Sequence, residues 1–352
     1  MKDFRKTALK AQKKSQGCLS ISCSLPLKKE ADLGNCYYPG ILGVLGKVQE
    51  SPALASKFRK PMIGIISTAS KEQLALISAK AAIVSQLLHC TAIPLLIGYQ
   101  HPQELTSLIP SLSKGLDALF FTDSSKLEAE IVQQSAQLLA IPVFFQKELE
   151  AGAAMAALLN GIKLLGTSVK KAQIIVEGTG QTVESLLKLV AHFELENVTL
   201  IDERGPLYTR RPNMSREKNE LLESFPRKKD ARTRDEVLNS CDVYLSSLPA
   251  VRTATTGKLP EKAVIISLSA EHIEVRPKQC LASTLPQLAN HFTDLHLLLG
   301  LLDALQSGKK LNDQSVSKAI VALANMYKTP KRDHLIPGLL EKNLAQKIAK
   351  GL

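Results

Sequence analysis

The sequence predicts an α/β fold of two domains, on three observations. Its 352 residues, 45% of them hydrophobic and 22% charged, are enough for two globular domains with sizeable cores. Apolar β-branched runs alternate with amphipathic stretches, which favours parallel strands connected by helices. Residues 173–205 follow the order strand, glycine turn, helix, strand, acid, as in a Rossmann-type βαβ unit. We expect the first domain at residues 1–150 and the Rossmann-type domain at residues 151–352.

The first domain is predicted from strand and helix patterns that alternate along the chain. The apolar runs indicate strands, and the segments between them have the spacing of helices with one apolar face. The predicted elements are a basic helix at Asp3–Lys14, a short strand at Cys18–Cys23, helices at Val44–Phe58, Lys71–His89 and Lys126–Leu139, and strands at Met62–Ser67, Ala92–Ile97, Leu116–Phe121 and Ile141–Phe144.

The second domain continues the alternation beyond an Ala-rich helix at Glu148–Leu165. Buried strands are expected at Val243–Ser246 and Val264–Leu268, where short apolar runs are rich in Val and Ile. The remaining predictions are a charged loop at Arg204–Pro226, a helix at Asp235–Ser240 and a mostly helical section at Pro286–Leu352.

The glycine turn carries the strongest functional signal. Gly178 would make the tight turn and Gly180 would let the backbone approach a pyrophosphate, which the N-terminus of the next helix binds. Asp202 ends the second strand, where a carboxylate accepts from ribose hydroxyls. Val183 stands where a third glycine is expected, so the helix should be pushed from the strand or tilted. Two interpretations stay open: a dinucleotide site, and an α/β unit whose turn holds no nucleotide.

Composition excludes several other classes. The net charge of +12 comes from scattered basic residues with clusters at Arg204–Arg211 and Arg227–Arg234 and no aromatic platform, which favours solvated basic faces over a specific nucleic-acid site. No run of 18 apolar residues is present, so we expect no membrane span. No signal-peptide core follows the basic start, and the six cysteines lack metal-ligand spacing. We expect a cytoplasmic protein with reduced thiols.

Three segments, in this order, resemble one enzyme family. They are Asp32-Leu33 with Tyr37-Tyr38-Pro39-Gly40, then Ile141-Pro142-Val143-Phe144, then Ala156-Ala157-Leu158-Leu159-Asn160. With the glycine turn and Asp202 they resemble the malic enzyme family in its short bacterial form, over nearly the whole chain. The resemblance implies oxidation of malate with NAD or NADP followed by decarboxylation to pyruvate, a divalent cation such as Mg²⁺ or Mn²⁺, a cleft between two domains and a homodimer.

The resemblance also implies roles for four residues. Tyr37 falls at the position of the family's acid and Lys80 at that of its base. Asp123 matches one metal ligand, and Asn290 matches an asparagine of the substrate site. Each has a structural alternative: Tyr37 packs a turn, Lys80 is a solvated lysine, Asp123 caps a helix and Asn290 bridges loops.

Other positions depart from the family pattern at the metal and substrate sites. Thr122 and Lys147 stand where the family has a Glu and an Asp, and Ala270 stands where it has an Asn. Hard cations need several oxygen ligands, so we expect no tight Mg²⁺ or Mn²⁺ binding. Lys147 would pair with Asp123 instead, unless Glu148 or another nearby carboxylate, Glu150, moves in as a ligand.

These departures leave three functions open. The first is a malic-enzyme-type oxidoreductase, the second a catalytically inactive relative that binds nucleotide or a partner. The third is a dehydrogenase of another small acid that works without metal. Asp202 would repel a 2′-phosphate, so NAD is expected in preference to NADP, although Arg204, Arg210 and Arg211 lie close enough in sequence to weaken that preference.

Overall fold

The computed structural model describes residues 61–68, 72–88, 90–139, 141–251, 253–268, 272–312 and 314–352. The elements predicted at Asp3–Lys14, Cys18–Cys23 and Val44–Phe58 lie outside these residues, as do Tyr37 and Ala270. The chain divides into two compact units. In the described residues, one unit comprises residues 61–120 and 134–142, and the other comprises residues 121–133 and 143–352.

The first unit is a small α/β layer. Its elements are β1 Met62–Ser67, α1 Gln73–Leu88, β2 Thr91–Leu96, a 3-10 turn at Pro102–Glu104, α2 Leu105–Ser113 and most of β3 Ala118–Thr122. Strands β1 and β2 pair in parallel from Met62 opposite Thr91. The strand order of this sheet is β2-β1-β3-β4, with β4 at Val143–Phe145. Buried on both faces, β1 reads as the continuous apolar run expected of a parallel strand.

The second unit contains the other elements. They are α3 Lys126–Ala136, α4 Gln146–Leu164, β5 Ile174–Glu177, α5 Gln181–His192, β6 Val198–Asp202, β7 Gly205–Pro206, α6 Arg216–Ser224, α7 Arg234–Asn239, β8 Val243–Ser246, β9 Ala250–Val251, α8 Thr253–Thr256, β10 Val264–Ser267, β11 His272–Ile273, β12 Cys280–Ser283, α9 Leu295–Gln306, α10 Ser315–Ala324 and α11 Leu344–Lys350.

A six-stranded sheet forms the centre of the second unit. Its order is β12-β10-β8-β5-β6-β7, parallel except for the two-residue β7. That order is the Rossmann arrangement, with the strand order reversing beside β5. The predicted α/β class and the Rossmann-type sheet are therefore confirmed, while the domain boundary near residue 150 stays a prediction.

Helix α4 is buried on most sides because its small residues admit close neighbours. Side chains added at Gly152 would meet Leu297 and Ile320, and one added at Gly161 would meet Val264. Helices α9 and α10 and the sheet therefore pack directly on α4. A helix that is apolar all round is a buried helix.

Three predictions along the chain differ from the structure. The predicted loop at Arg204–Pro226 contains α6, because Ser215 caps its first turn and Leu221 and Leu222 are buried beneath its charged face. Helix α2 was not predicted, since its Pro and Ser residues weaken the helical pattern. The C-terminal section is not mostly helical, because residues 326–343 form turns between α10 and α11.

Candidate functional site

The glycine turn between β5 and α5 requires its glycines. Gly178 and Gly180 have φ values of +117° and +108°, which L side chains rarely adopt. A side chain at Gly178 would also overlap the hydroxyl of Ser247, which donates to the Thr179 carbonyl at 3.1 Å. Among the described residues, no side chain caps the first turn of α5, which leaves its N–H groups to an anion. Val183, expected to push the helix from the strand or tilt it, is buried in the core.

Asp202 is held by cations at the end of β6. One carboxylate oxygen accepts from the backbone N–H of Arg204 and from Arg211 Nη1, both at 2.9 Å, and the other accepts from Lys218 Nζ at 2.7 Å. Burial raises the pKa of the Asp202 carboxyl, but the bonds from Lys218, Arg204 and Arg211 outweigh burial and lower the pKa overall. The carboxylate is only 4% exposed, so it differs from the open ribose acceptor that the sequence predicts.

Helix α6 brings two of its residues to the predicted nucleotide features. Lys218 contacts Asp202, and Glu217 Oε2 accepts from the Thr179 hydroxyl of the glycine turn at 3.5 Å. Sequence reasoning missed both residues because it placed them in a loop. Two signals were available in the sequence. Ser215 is a residue type that often caps a helix, and the polar segment after it carries two apolar residues, Leu221 and Leu222, that could form a buried helix face.

A pocket beside the glycine turn contains Asp123. It is lined by residues of α3, α4 and α5 and of the segments just before α3 and α4. Asp123 has φ +52°, and its Oδ2 is buried without a hydrogen-bond partner. Asp123 does not cap α3: Ser125 Oγ accepts from Glu128 N at 3.3 Å, and Glu128 Oε2 accepts from Ser125 N at 2.6 Å. The capping alternative for Asp123 is therefore wrong, because a capping box two residues later has that role.

Helices α3 and α5 are joined beside this pocket. Lys126 Nζ lies 2.9 Å from Glu184 Oε2. With its amide oriented to satisfy both neighbours, Gln181 donates to the Ser124 carbonyl at 3.0 Å and accepts from Lys126 N at 2.6 Å. These contacts explain why residues 121–133 belong to the second unit. The pocket adjoins the glycine turn, because Gln181, the residue after Gly180, is part of its lining.

The acidic residues of this pocket do not form a metal site in the part of the chain that the structure describes. Lys147 Nζ pairs with Glu150 Oε2 at 3.6 Å rather than with Asp123 as expected. Glu148 accepts from Gln133 Nε2 at 2.6 Å, and burial raises the pKa of its carboxyl despite the nearby Lys188. Among the described residues, no group of three His, Cys, Asp or Glu residues could hold a metal ion. The donors present therefore do not fit Mg²⁺ or Mn²⁺.

Two further predicted site residues are buried. Lys80, in α1 of the first unit, is 8% exposed and its Nζ lies 5.4 Å from the centre of the Phe120 ring, so it is not a solvated lysine. Asn290, in the second unit, donates to the carbonyls of Leu281 and Arg332 and accepts from Leu335 N. These bonds bridge loops, and the substrate role of Asn290 stays a prediction, as do the roles of Lys80 and Tyr37.

A charged network that sequence reasoning missed lies directly before the glycine turn. Glu177, the last residue of β5, is 4% exposed. Both of its carboxylate oxygens accept from Arg234 Nη2, at 2.9 and 3.0 Å, and one also accepts from Tyr244 at 2.5 Å. The only signal in the sequence was an acid at the end of an apolar strand.

Comparison with known proteins points to one family. The chain is 20% identical over 99% of its length to a bifunctional malic/malolactic enzyme of Bacillus subtilis, of which it covers 92%. It is 24% identical to an NADP-dependent and 22% to an NAD-dependent malic enzyme of Rhizobium meliloti, and spans 44% and 49% of their lengths. The chain is therefore similar in sequence to malic enzymes over nearly its whole length, which supports the resemblance seen in its motifs. No family model matches it.

Solved malic enzymes share the fold. The NAD-dependent malic enzyme of Thermotoga maritima has a TM-score of 0.79 at 18% identity, covering 98% of each chain. The malic enzyme of Pyrococcus horikoshii has a TM-score of 0.74 at 18% identity, covering 99% of this chain and 89% of that one. As in these malic enzymes, the fold of this chain is α/β with a Rossmann-type sheet. Among its described residues, no helix is long and apolar enough to cross a membrane.

Proposed function

We propose that this protein binds a nicotinamide dinucleotide at the glycine turn and oxidises malate or a related 2-hydroxy dicarboxylate. The observation that carries the proposal is the turn itself, in which Gly178 and Gly180 adopt backbone conformations that only glycine takes readily. A glycine turn that leads into a helix N-terminus is suited to a pyrophosphate. The relatives support the substrate class, since their names include NAD- and NADP-dependent malic enzymes.

The nicotinamide would accept the hydride from the hydroxyl-bearing carbon. In this proposal the turn binds and orients the dinucleotide, and the family resemblance assigns removal of the hydroxyl proton to Lys80. The Lys80 side chain is 8% exposed, and its Nζ lies beside the ring face of Phe120. The resulting β-keto acid would lose CO₂, the electrons of the broken C–C bond forming the enol of pyruvate, and by the family resemblance Tyr37, outside the described residues, would return a proton to the enol carbon. No step depends on a metal ion, because the described donors do not fit one.

The cofactor choice follows from the corner around Asp202. Three cationic side chains face this corner, and two carboxylates oppose them, since Glu203 also lies 3.5 Å from Lys218. A 2′-phosphate would therefore meet a net positive charge rather than a free carboxylate. In place of the preference for NAD expected from Asp202 alone, we propose that NADP binds at least as tightly as NAD.

The test is malate-dependent reduction of NAD and NADP by the purified protein, with pyruvate measured in parallel. We expect reduced nucleotide and pyruvate to form together, and Lys80→Met to abolish both. Lys163→Met, on an exposed side chain of α4, is the matched control and should leave the rate unchanged. If the native chain binds nucleotide but oxidises neither malate nor related 2-hydroxy dicarboxylates, the inactive, nucleotide-binding alternative replaces the proposal.

A further inference from the structure

The network before the glycine turn contains a buried negative charge at a place where an anion is expected to bind. Glu177 directly precedes Gly178, and its carboxylate is nearly inaccessible. A bare carboxylate there would oppose the pyrophosphate that the turn is built to receive, and low-dielectric surroundings strengthen that repulsion. The dinucleotide site therefore needs a compensating charge at this position.

Arg234 supplies that charge from α7. Its Nη2 bonds both carboxylate oxygens of Glu177 and the hydroxyl of Thr255, at 3.4 Å. The backbone of Arg234 also lies against Gly205, where an added side chain would meet Arg234 N at 3.4 Å. Arg234 is thus fixed between the carboxyl ends of β5 and β6, on the edge of the sheet where a Rossmann fold binds its ligand.

Tyr244 fixes the carboxylate from the other side. It lies on β8 opposite Ile175, two residues before Glu177 on β5, and its hydroxyl donates to Glu177 Oε2. Burial next to that carboxylate raises the pKa of the Tyr244 hydroxyl, so the phenol stays protonated and remains a donor. Glu177 accordingly has partners on both oxygens, and its orientation under the turn is determined by Arg234 and Tyr244.

We propose that Glu177 and Arg234 are positioning residues for the dinucleotide: Arg234 neutralises the carboxylate beneath the glycine turn, so that the turn retains the positive field that a pyrophosphate needs. The inference rests on the proposed binding of a nicotinamide dinucleotide. It extends that proposal to a charge pair that touches the turn and not the ligand.

The test is a charge cycle of three variants, Arg234→Met, Glu177→Gln and the double variant. Nucleotide affinity is measured by calorimetric titration with NADP and NAD, and folding by thermal unfolding. Arg234→Met leaves the carboxylate unpaired and should weaken dinucleotide binding about tenfold or more, whereas the double variant, with both charges removed, should recover most of the affinity. Glu177→Gln alone should bind at least as tightly as the native chain.

Lys258→Met is the matched control. Lys258 pairs with Asp235, the residue after Arg234, at 2.8 Å on an exposed surface, so the variant removes the same charge from the same region without exposing a buried partner. Its affinity should equal that of the native chain. Titration with ADP and adenosine separates charge from structure, since Arg234→Met should weaken ADP, which carries the diphosphate, and spare adenosine.

Three results would overturn the inference. If the double variant binds as weakly as Arg234→Met, Arg234 contacts the nucleotide directly. If Arg234→Met weakens adenosine as much as ADP, the pair has a structural role alone. If Arg234→Met binds as tightly as the native chain, the pair has no role in binding. Absence of NAD and NADP binding by the native chain would instead refute the proposed function itself.

Discussion

At the scale of single residues, we expect Thr122 and Lys147 to weaken the binding of a metal ion. Thr122 ends β3 and is buried, and Lys147 pairs with Glu150. We expect the native chain to bind Mn²⁺ weakly, and Thr122→Glu with Lys147→Asp to gain tight binding, because the change adds two carboxylates beside Asp123 and removes an ammonium. Calorimetric titration with MnCl₂ checks this.

The matched control for that experiment is Thr122→Gln with Lys147→Asn, which has the same side-chain sizes without the carboxylates and should bind no more Mn²⁺ than the native chain. A native chain that oxidises malate at roughly 1 s⁻¹ or more only with Mn²⁺ would contradict the prediction. Glu148 or Glu150 would then complete a metal site.

Because His296 is buried, we expect the free energy of unfolding to decrease in acid. Burial lowers the pKa of its imidazole from 6.5 to about 4, against bonds to the carbonyls of Pro337 and Thr293 that raise it. Because the folded pKa lies below the unfolded one, the unfolded chain binds more protons between pH 6.5 and 4. Stability is therefore lost as the pH falls through that range, by about 3 kcal/mol at most from this residue.

Chemical denaturation at several pH values checks this contribution. The difference in unfolding free energy between His296→Gln and the native chain should shrink as the pH falls from 6.5 to 4. His192→Gln, on an exposed histidine, is the control and should keep the native pH dependence. A constant difference between His296→Gln and the native chain across this range would show that His296 does not titrate as described.

At the scale of elements, we expect α6 to influence the choice between NAD and NADP. It carries Lys218 to Asp202, although the charged composition of its segment predicts a loop. We expect Lys218→Met to weaken NADP binding about tenfold and to change NAD binding much less, since only NADP carries the 2′-phosphate. Arg216→Met, on a 92% exposed side chain of the same helix, should change neither affinity.

Calorimetric titration of both variants with both nucleotides measures how much each variant loses in affinity for NADP and in affinity for NAD, relative to the native chain. Equal losses of NAD and NADP affinity in Lys218→Met would indicate that Lys218 supports α6 rather than selecting the cofactor. A native chain that binds NAD more tightly than NADP would support the preference expected from Asp202 alone.

Elements with a strong local pattern were predictable from the sequence. Strand β1 has its predicted bounds, and β5, α5 and β6 follow the order set by Gly178, Gly180 and Asp202. The contacts that change the chemistry were not predictable, because they join residues distant in sequence. Arg234 meets Glu177 across 57 positions, and Lys218 reaches Asp202 only because α6 folds back on β6.

At the scale of the whole molecule, a homodimer would have to form through a surface other than that of α9. The apolar run Leu295–Leu305 also favours a dimer, but helix α9, which contains it, is buried against α4, α10 and α11 within one chain. Helix α1 instead exposes Leu74, Leu76 and Ile83. We expect light scattering at micromolar concentration to give twice the monomer mass, and Ile83→Glu to give the monomer mass, because a charge on an apolar interface is costly to bury.

Val321→Glu, a similarly exposed position on α10, is the control and should keep the mass of the native protein. A native chain that scatters as a monomer would contradict the prediction. A dimer that Ile83→Glu leaves intact would mean that another surface joins the two copies.

The central claim is that the glycine turn binds a nicotinamide dinucleotide, and calorimetric titration of the native chain and Gly178→Ala with NAD and NADP tests it most directly. A methyl group at Gly178 would overlap Ser247 Oγ. The backbone φ of +117° would in addition strain an alanine by roughly 1–3 kcal/mol. Gly98→Ala, where a side chain meets nothing within 4 Å, is the control. The account predicts saturable binding of one nucleotide per chain, kept in Gly98→Ala and lost in Gly178→Ala. A native chain that binds neither nucleotide, or a Gly178→Ala variant that binds as tightly as the native chain, would contradict it.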